Sequence, residues 1–445
     1  MKRLLAQQLV CLLLVVLAFG GCSFGGSATV TPTPDETTAT VTAGPTETTA
    51  PGDPTATESP AATESETPAD EATTTPPPVN TETPTDAPTA TDEPPTATAT
   101  ATGTATTEPT PTPTSTVTPV TPTATASATA TAVPGPTFEL GGQVFSFLYL
   151  DLMRESGMTW MKMQIRHTPG GSTADAENLV AIGERHGLKV LLSVVGDQAA
   201  LAANPTQYFQ EFAAFLAAVA RVGPDAIEVW NEPNIDREWP AGLINGTNYA
   251  QMLSYAYPAI KQANPNVMVI SGAPAPTGFF GGQCRVNGCD DLIFIQQMAA
   301  AGADQYFDCT GIHYNEGILP PTASTGDPRG NSNHYTRYYP TMVNTYVSVF
   351  PDKPLCFTEL GYLSPEGLPP LPPGFEWASG TSVQEQAEWL AQAAQLSRDN
   401  RTVRLMIVWN MDATIYGSDP MAGWAIIRNN TCLACVTLSV VMGQG

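Results

Sequence analysis

The chain has 445 residues, with 18 Lys and Arg against 42 Asp and Glu, for a formal net charge of −24. Residues 23–136 hold 14 of those acids and no base, and residues 137–445 hold 28 acids against 16 bases. Neither part carries the basic clusters that phosphate binding requires, so nucleic acid is excluded as a partner.

In chain order, the first 22 residues read as an export leader. Lys2 and Arg3 make a basic start, Leu9–Phe19 is an apolar run short of a comfortable membrane span, and Gly20-Gly21-Cys22 ends it. Small residues before a cysteine resemble the lipobox of bacterial lipoproteins, with Phe19 where that family has Leu. The resemblance implies that Cys22 is lipidated and anchors the protein to the extracellular face of the cell membrane; simple cleavage of the leader would make it secreted. From Ser27 to Pro136 the chain is low-complexity Thr, Pro, Ala and acid. Such a segment cannot bury enough apolar surface to offset its conformational entropy, and it is expected to be a disordered stalk. Its frequent prolines favour extended conformers, with a reach on the order of 300 Å at ~3.1 Å per residue.

Residues 137–445 have the length of one α/β domain. Apolar strand-like runs occur at Glu139–Phe145, Trp160–Arg166, Leu188–Val195, Ala226–Trp230, Val267–Ser271, Cys309–His313, Leu355–Thr358 and Leu405–Trp409. They are rich in Val, Ile and Leu without clean alternation, as expected of strands covered on both faces. Helical periodicity separates them at Ala174–His186, Thr206–Arg221, Asn248–Ala263, Asp291–Ala301, Thr341–Phe350 and Ser382–Arg398. Eight strand-like runs alternating with helical stretches predict parallel pairing through right-handed crossovers and an α/β fold of the TIM-barrel type, a (β/α)8 barrel. A doubly wound open sheet is disfavoured because no Gly-rich phosphate turn follows the first strand.

In a barrel the reactive groups sit where strands end. The fourth run ends in Trp230-Asn231-Glu232-Pro233-Asn234 and the seventh in Thr358-Glu359-Leu360-Gly361-Tyr362. Two carboxyl groups facing one another across a barrel mouth suit glycosidic chemistry, one as proton donor and the other as nucleophile. These segments, with Gly311-Ile312-His313-Tyr314 and Val408-Trp409-Asn410, resemble the clan A retaining glycoside hydrolases over about residues 138–442. The resemblance implies Glu232 as acid/base and Glu359 as nucleophile. It also implies Asn231 as the partner of the sugar 2-hydroxyl, and Tyr314 or His313 as a group near the nucleophile. Trp409 corresponds to the aromatic floor of the attacked sugar's subsite, and Arg166 to a base that hydrogen-bonds the nucleophile. Trp239, Trp377 and Trp424 lie in predicted loops, where an aromatic either stacks on a sugar or packs the loop.

Cys284 with Cys289, and Cys432 with Cys435, are spaced for small disulfides in an exported protein. Cys309 and Cys356 sit in apolar runs, where buried cysteine acts as a small hydrophobe. Asp290, Asp291 and Asp327 read as solvated loop charges. The four histidines lack metal spacing, so neither metal nor cofactor is expected. The expected partner is a carbohydrate, and the domain is expected to be a monomer. A binding-only lipoprotein that keeps the barrel is the alternative, disfavoured because the chain retains both carboxylates.

Overall fold

The computed structural model describes residues 137–444; the leader, Cys22 and the segment 23–136 lie outside the described residues. Eight parallel strands, β1 (Glu139–Gln143), β2 (Trp160–Arg166), β3 (Lys189–Val195), β4 (Ala226–Val229), β5 (Met268–Ser271), β6 (Thr310–Tyr314), β7 (Leu355–Leu360) and β8 (Val403–Val408), pair in the order β5-β4-β3-β2-β1-β8-β7-β6. The ends meet where Ile270 bridges Cys309 just before β6, and Ser271 N donates to Cys309 O at 3.1 Å. Gly311 permits this seam, because a Cβ there would lie 2.0 Å from Ser271 O. The fold is the expected TIM-type barrel.

The helices are α1 (Leu150–Glu155), α2 (Ala174–His186), α3 (Gln198–Ala203), α4 (Pro205–Val222), α5 (Gly246–Ala263), α6 (Asp291–Ala300), α7 (Tyr339–Val349), α8 (Val383–Asn400) and α9 (Leu433–Val441). Their limits follow from local chemistry. α2 buries Ala176, Leu179, Val180 and Gly183 and stops at Gly187 in the left-handed region, φ +64°. α8 opens with a reciprocal capping box between Ser382 and Glu385. α4 has Pro205 in its first turn, and the Asn204 side chain accepts from Gln207 N. Trp160, Leu191, Ala226, Met268, Ile270, Leu405 and Ile407 form a separate buried cluster of strand residues. A larger cluster packs the remaining strand side chains against the helices.

Four expectations need correction. β1 ends at Gln143, because Phe145 N and Ser146 N turn away to donate to the Asp412 carboxylate at 2.8 and 3.0 Å. α3 and α9 were not legible; α3 is short and capped by Asp197, and α9 begins inside the Cys432–Cys435 pair, with Cys432 as its N-cap and Cys435 in its first turn. Cys309 and Cys356 are disulfide-bonded, their Cα atoms 5.9 Å apart on adjacent strand segments, within bridging range. The pairs Cys284–Cys289 and Cys432–Cys435 are bonded as well. Finally, Asp290, Asp291 and Asp327 are buried. Asp290 accepts from Phe280 N and Gly282 N, Asp291 from the Tyr335 and Tyr346 hydroxyls, and Asp327 from Arg329.

Candidate active site

The turn after β4 folds sharply because Trp230 and Glu232 both take positive φ, +75° and +43°. Such conformations cost roughly 1 kcal/mol or more each in a non-glycine residue and persist only where the surroundings enforce them. Trp230 N donates to Val194 O, Glu232 N donates to Ala273 O, and the Trp230 ring packs edge-on against Trp239 at 4.8 Å. The result is a buried Glu232 carboxyl inside the barrel mouth.

Glu359 reaches the same space from β7 through an irregularity of register. Ile312 pairs with Phe357, but the next residue, His313, pairs with Glu359, leaving Thr358 as the extra residue. In a regular strand neighbouring side chains face opposite sides. The bulge lets both Thr358 and Glu359 reach the Lys162–Glu228 ion pair across the barrel. Thr358 Oγ1 donates to Glu228 Oε1 at 2.7 Å, and Glu359 Oε1 accepts from Lys162 Nζ at 3.2 Å.

His313 joins the two candidate carboxylates. Its Nδ1 lies 3.2 Å from Glu232 Oε1 and 3.7 Å from Glu359 Oε2. One ligand-type atom from each of the three residues falls within a mutual separation of 4.8 Å. Asn315 Nδ2 donates to Glu359 Oε2 at 3.1 Å, and the Arg237 guanidinium pairs with Glu232 Oε2. Asn231 Oδ1, Gln143 Oε1, His313 Nε2 and Asn315 Oδ1 are buried without a partner among the described residues. Buried polar atoms are seldom left so, and these four belong to residues at or just past strand ends, where a polar ligand can satisfy them.

The electrostatics are those of a compact charge cluster. Burial acts against the Lys162 ammonium, but Glu228 and Glu359 outweigh it and hold its pKa above the usual lysine value. Burial would raise Glu232; the His313 hydrogen bond and the Arg237 charge prevail and hold it below the usual carboxylate value. Burial would lower His313, and Glu359 with Glu232 reverses this. Glu238, beside Arg237, is pushed up to about 7 by burial and then by the Glu232 charge.

The other sequence-predicted residues separate into two groups. Glu232, Glu359 and His313 come together, with buried Asn231 next to Glu232 in the same turn, and half-buried Trp409 stands at the end of β8 with its ring 5.9 Å from Phe145. Arg166 does not hydrogen-bond Glu359. Its Nη1 donates to Gly196 O at 3.0 Å, tying the ends of β2 and β3, and the cation at Glu359 is Lys162. Tyr314 turns from the nucleophile candidate as well, donating to Arg337 O at 3.2 Å with its ring against Tyr362. Trp239 and Trp424 are buried packing residues, and Trp424 Nε1 donates to Asn315 O at 3.2 Å. Trp377 lies under the Arg329 guanidinium at 5.1 Å.

Sequence reasoning missed Lys162, Glu228, Asn315 and Arg237. A signal existed for the first two: each is a charge inside an apolar strand run, and such residues are rarely buried unless paired. Glu232, His313 and Glu359 are of the types that ligate metal. However, Lys162 and Arg237 already balance the carboxylates, and a dication among the three would be repelled by both cations.

No protein-family model and no curated protein matches this chain. Among solved structures it is similar to a family 39 glycoside hydrolase from the gut symbiont Bacteroides cellulosilyticus WH2, with TM-score 0.50 and 20% identity over 69% of this chain and 64% of that one. The chain thus spans just under two thirds of that protein's length. It is also similar to the GH53 catalytic domain of Ignisphaera aggregans, with TM-score 0.45 and 17% identity over 69% and 92% of the two chains. For the endo-1,4-beta-mannanase of Rhizomucor miehei the TM-score is 0.46 and the identity 11%, over 70% and 99%. At the identity of the first of these the likeness is one of fold: a barrel of parallel strands shared with glycoside hydrolases.

Proposed function

We propose that residues 137–445 form a retaining glycoside hydrolase that cleaves β-glycosidic bonds by double displacement, with Glu359 as nucleophile and Glu232 as acid/base. The observation that carries the reading is the pair of buried carboxylates, one in the turn after β4 and one on the end of β7, with one oxygen of each lying within 4.8 Å of the other. Retaining enzymes hold their two carboxyl groups about 5–5.5 Å apart, whereas inverting ones need room for a water.

In the first step a Glu359 oxygen attacks the anomeric carbon, the glycosidic C–O bond breaks, and Glu232 gives its proton to the leaving oxygen. Negative charge therefore moves from Glu359 to Glu232, where buried His313 receives it. In the free site His313 and Arg237 favour ionised Glu232, so the first step requires Arg237 to give way as substrate enters. Its side chain is 63% exposed, which leaves it room to move. In the second step Glu232 takes a proton from water as the water oxygen bonds to the anomeric carbon, and the Glu359–carbon bond breaks to release the sugar and the free carboxylate. Asn231 is the partner assigned to the sugar 2-hydroxyl and Trp409 the floor beneath the ring. We further propose that Cys22 carries a lipid anchor and that the carbohydrate substrate is met outside the cell membrane.

The test is Glu359→Ala, assayed on chromogenic β-glycosides and insoluble polysaccharides. Turnover should vanish while the fold, read by circular dichroism, remains. Azide should then restore activity and give a glycosyl azide of inverted configuration. Full activity in the variant sinks the assignment.

A further inference from the structure

Lys162, Glu228 and Thr358 are wholly buried inside the barrel, and only Glu359 of this group borders the mouth. Lys162 Nζ lies 3.4 Å from Glu228 Oε2 and 3.2 Å from Glu359 Oε1, and it donates to Thr358 O at 3.0 Å. Glu228 Oε1 is fixed in turn by Thr358 Oγ1 at 2.7 Å and Ala273 N at 3.3 Å. The charged groups facing Lys162 are Glu228 of β4 and Glu359 of β7, with His313 of β6 and Glu232 beyond them.

In the free enzyme one buried ammonium serves two carboxylates. In the covalent intermediate Glu359 is an ester and no longer a counter-ion. An unpaired buried ammonium would then be strongly disfavoured. We infer that Glu228 is a positioning residue for the nucleophile, whose charge holds Lys162 as an ammonium ion through the glycosyl-enzyme intermediate. The inference rests on the double-displacement reading above. Atoms balance without a further reactant: the Glu359–carbon bond replaces the glycosidic bond, the Glu232 proton leaves on the aglycone, and the Lys162 proton stays in place between Glu228 and the ester. Glu228 touches neither substrate nor the reacting atoms and acts only through Lys162 and Thr358.

The experiment uses the full-length protein and dinitrophenyl 2-fluoro-β-glycosides of glucose, xylose and galactose, which form slowly hydrolysed glycosyl-enzymes. Glu228→Gln keeps an acceptor for Thr358 and Ala273 while removing the charge. Release of dinitrophenolate on labelling should slow about tenfold or more, because the intermediate loses the counter-ion of Lys162. Reactivation of the labelled enzyme should be as fast as wild type or faster, because the same loss destabilises the state being left. Glu228→Asp, which keeps the charge, should restore much of the labelling rate. Equal slowing of both steps marks a merely structural role and overturns the inference, as does an unchanged labelling rate. Should Glu228→Gln fail to fold, nitrogen NMR of lysine-labelled wild-type glycosyl-enzyme decides: an ammonium at Lys162 near pH 7 supports the inference and a neutral amine overturns it. Label on a residue other than Glu359 takes the double-displacement reading down with it, whereas label on Glu359 with unaltered Glu228→Gln kinetics defeats the inference alone.

Discussion

Lys162 and Arg166 stand four residues apart on β2, so strand alternation gives them the same face. The alternation in the sequence identifies that face but carries no measure of depth. Four residues correspond to about 13 Å along a strand. The deeper cation meets Glu359, and the shallower one closes the β2–β3 rim. Arg166→Ala should therefore leave kcat/KM within about threefold of wild type, since it removes one rim hydrogen bond. Lys162→Met should cost roughly 3 kcal/mol of stability or more, because it leaves Glu228 and Glu359 buried without their shared cation. Denaturant titration of both variants, beside their kinetics, checks the pair; a severe loss in Arg166→Ala with a mild one in Lys162→Met would return the role to Arg166. The same limit of depth applies to His313 and Tyr314, adjacent in β6: the chemistry of each residue type was legible, but which of them meets the carboxylates was decided by packing.

At the scale of elements, the strands were legible because a doubly covered parallel strand writes a continuous apolar run, and the helices because each buries one stripe. The bulge that brings both Thr358 and Glu359 to the Lys162–Glu228 ion pair was not legible, since it depends on the register with β6. The disulfide between Cys309 and Cys356 escaped for the same reason: proximity across 47 residues is a property of the closed barrel. Loop entropy ranks the disulfides. A bridge across that separation is worth about 4 kcal/mol, against about 2 kcal/mol for Cys432–Cys435, which are three residues apart. Replacing both Cys309 and Cys356 by Ser should thus lower Tm by several degrees more than the same change at Cys432 and Cys435, as read by calorimetry. A second element-level prediction concerns Asp291 in the first turn of α6, whose carboxyl is pushed up to about 7 by burial, against the hydrogen bonds from Tyr335 and Tyr346. Its folded pKa lies above its unfolded one, so the unfolded chain releases this proton first as pH rises. The stability it contributes is complete below about pH 4 and is lost as pH rises through about 7. Asp291→Asn lacks this titration, and the Tm of the wild type should fall relative to the variant across that window; a constant difference from pH 4 to 8 would refute it.

For the whole molecule, the division at residue 137 follows from where the barrel begins. Glu139 opens β1, which is hydrogen-bonded to β2 on one side and β8 on the other, and Phe138 and Leu140 are already core residues. Every residue assigned to the chemistry lies between Lys162 and Trp409. Residues 23–136, by contrast, show neither helix nor strand spacing of apolar residues. Their 14 acids and absent bases add self-repulsion to proline stiffness, a composition suited to reach. A fragment beginning at Thr137 should then fold, melt within about 2 °C of the full chain, and hydrolyse a small soluble glycoside with unchanged kcat. Loss of placement should appear elsewhere. Cys22→Ser should release the full chain from membranes with its soluble activity intact. One acyl chain binds only marginally, whereas the several chains of a bacterial lipoprotein hold firmly, so fractionation should show a large change. The fragment is the sharper test. Phe138 stands one residue from its new amino terminus, and a charge placed there could loosen β1. A fragment starting ten residues upstream separates the two causes: if it restores a kcat lost at 137, the loss came from fraying of β1. A severalfold loss of kcat in both fragments would place residues of the 23–136 segment in the site, and the proposed division of labour between stalk and barrel would fall.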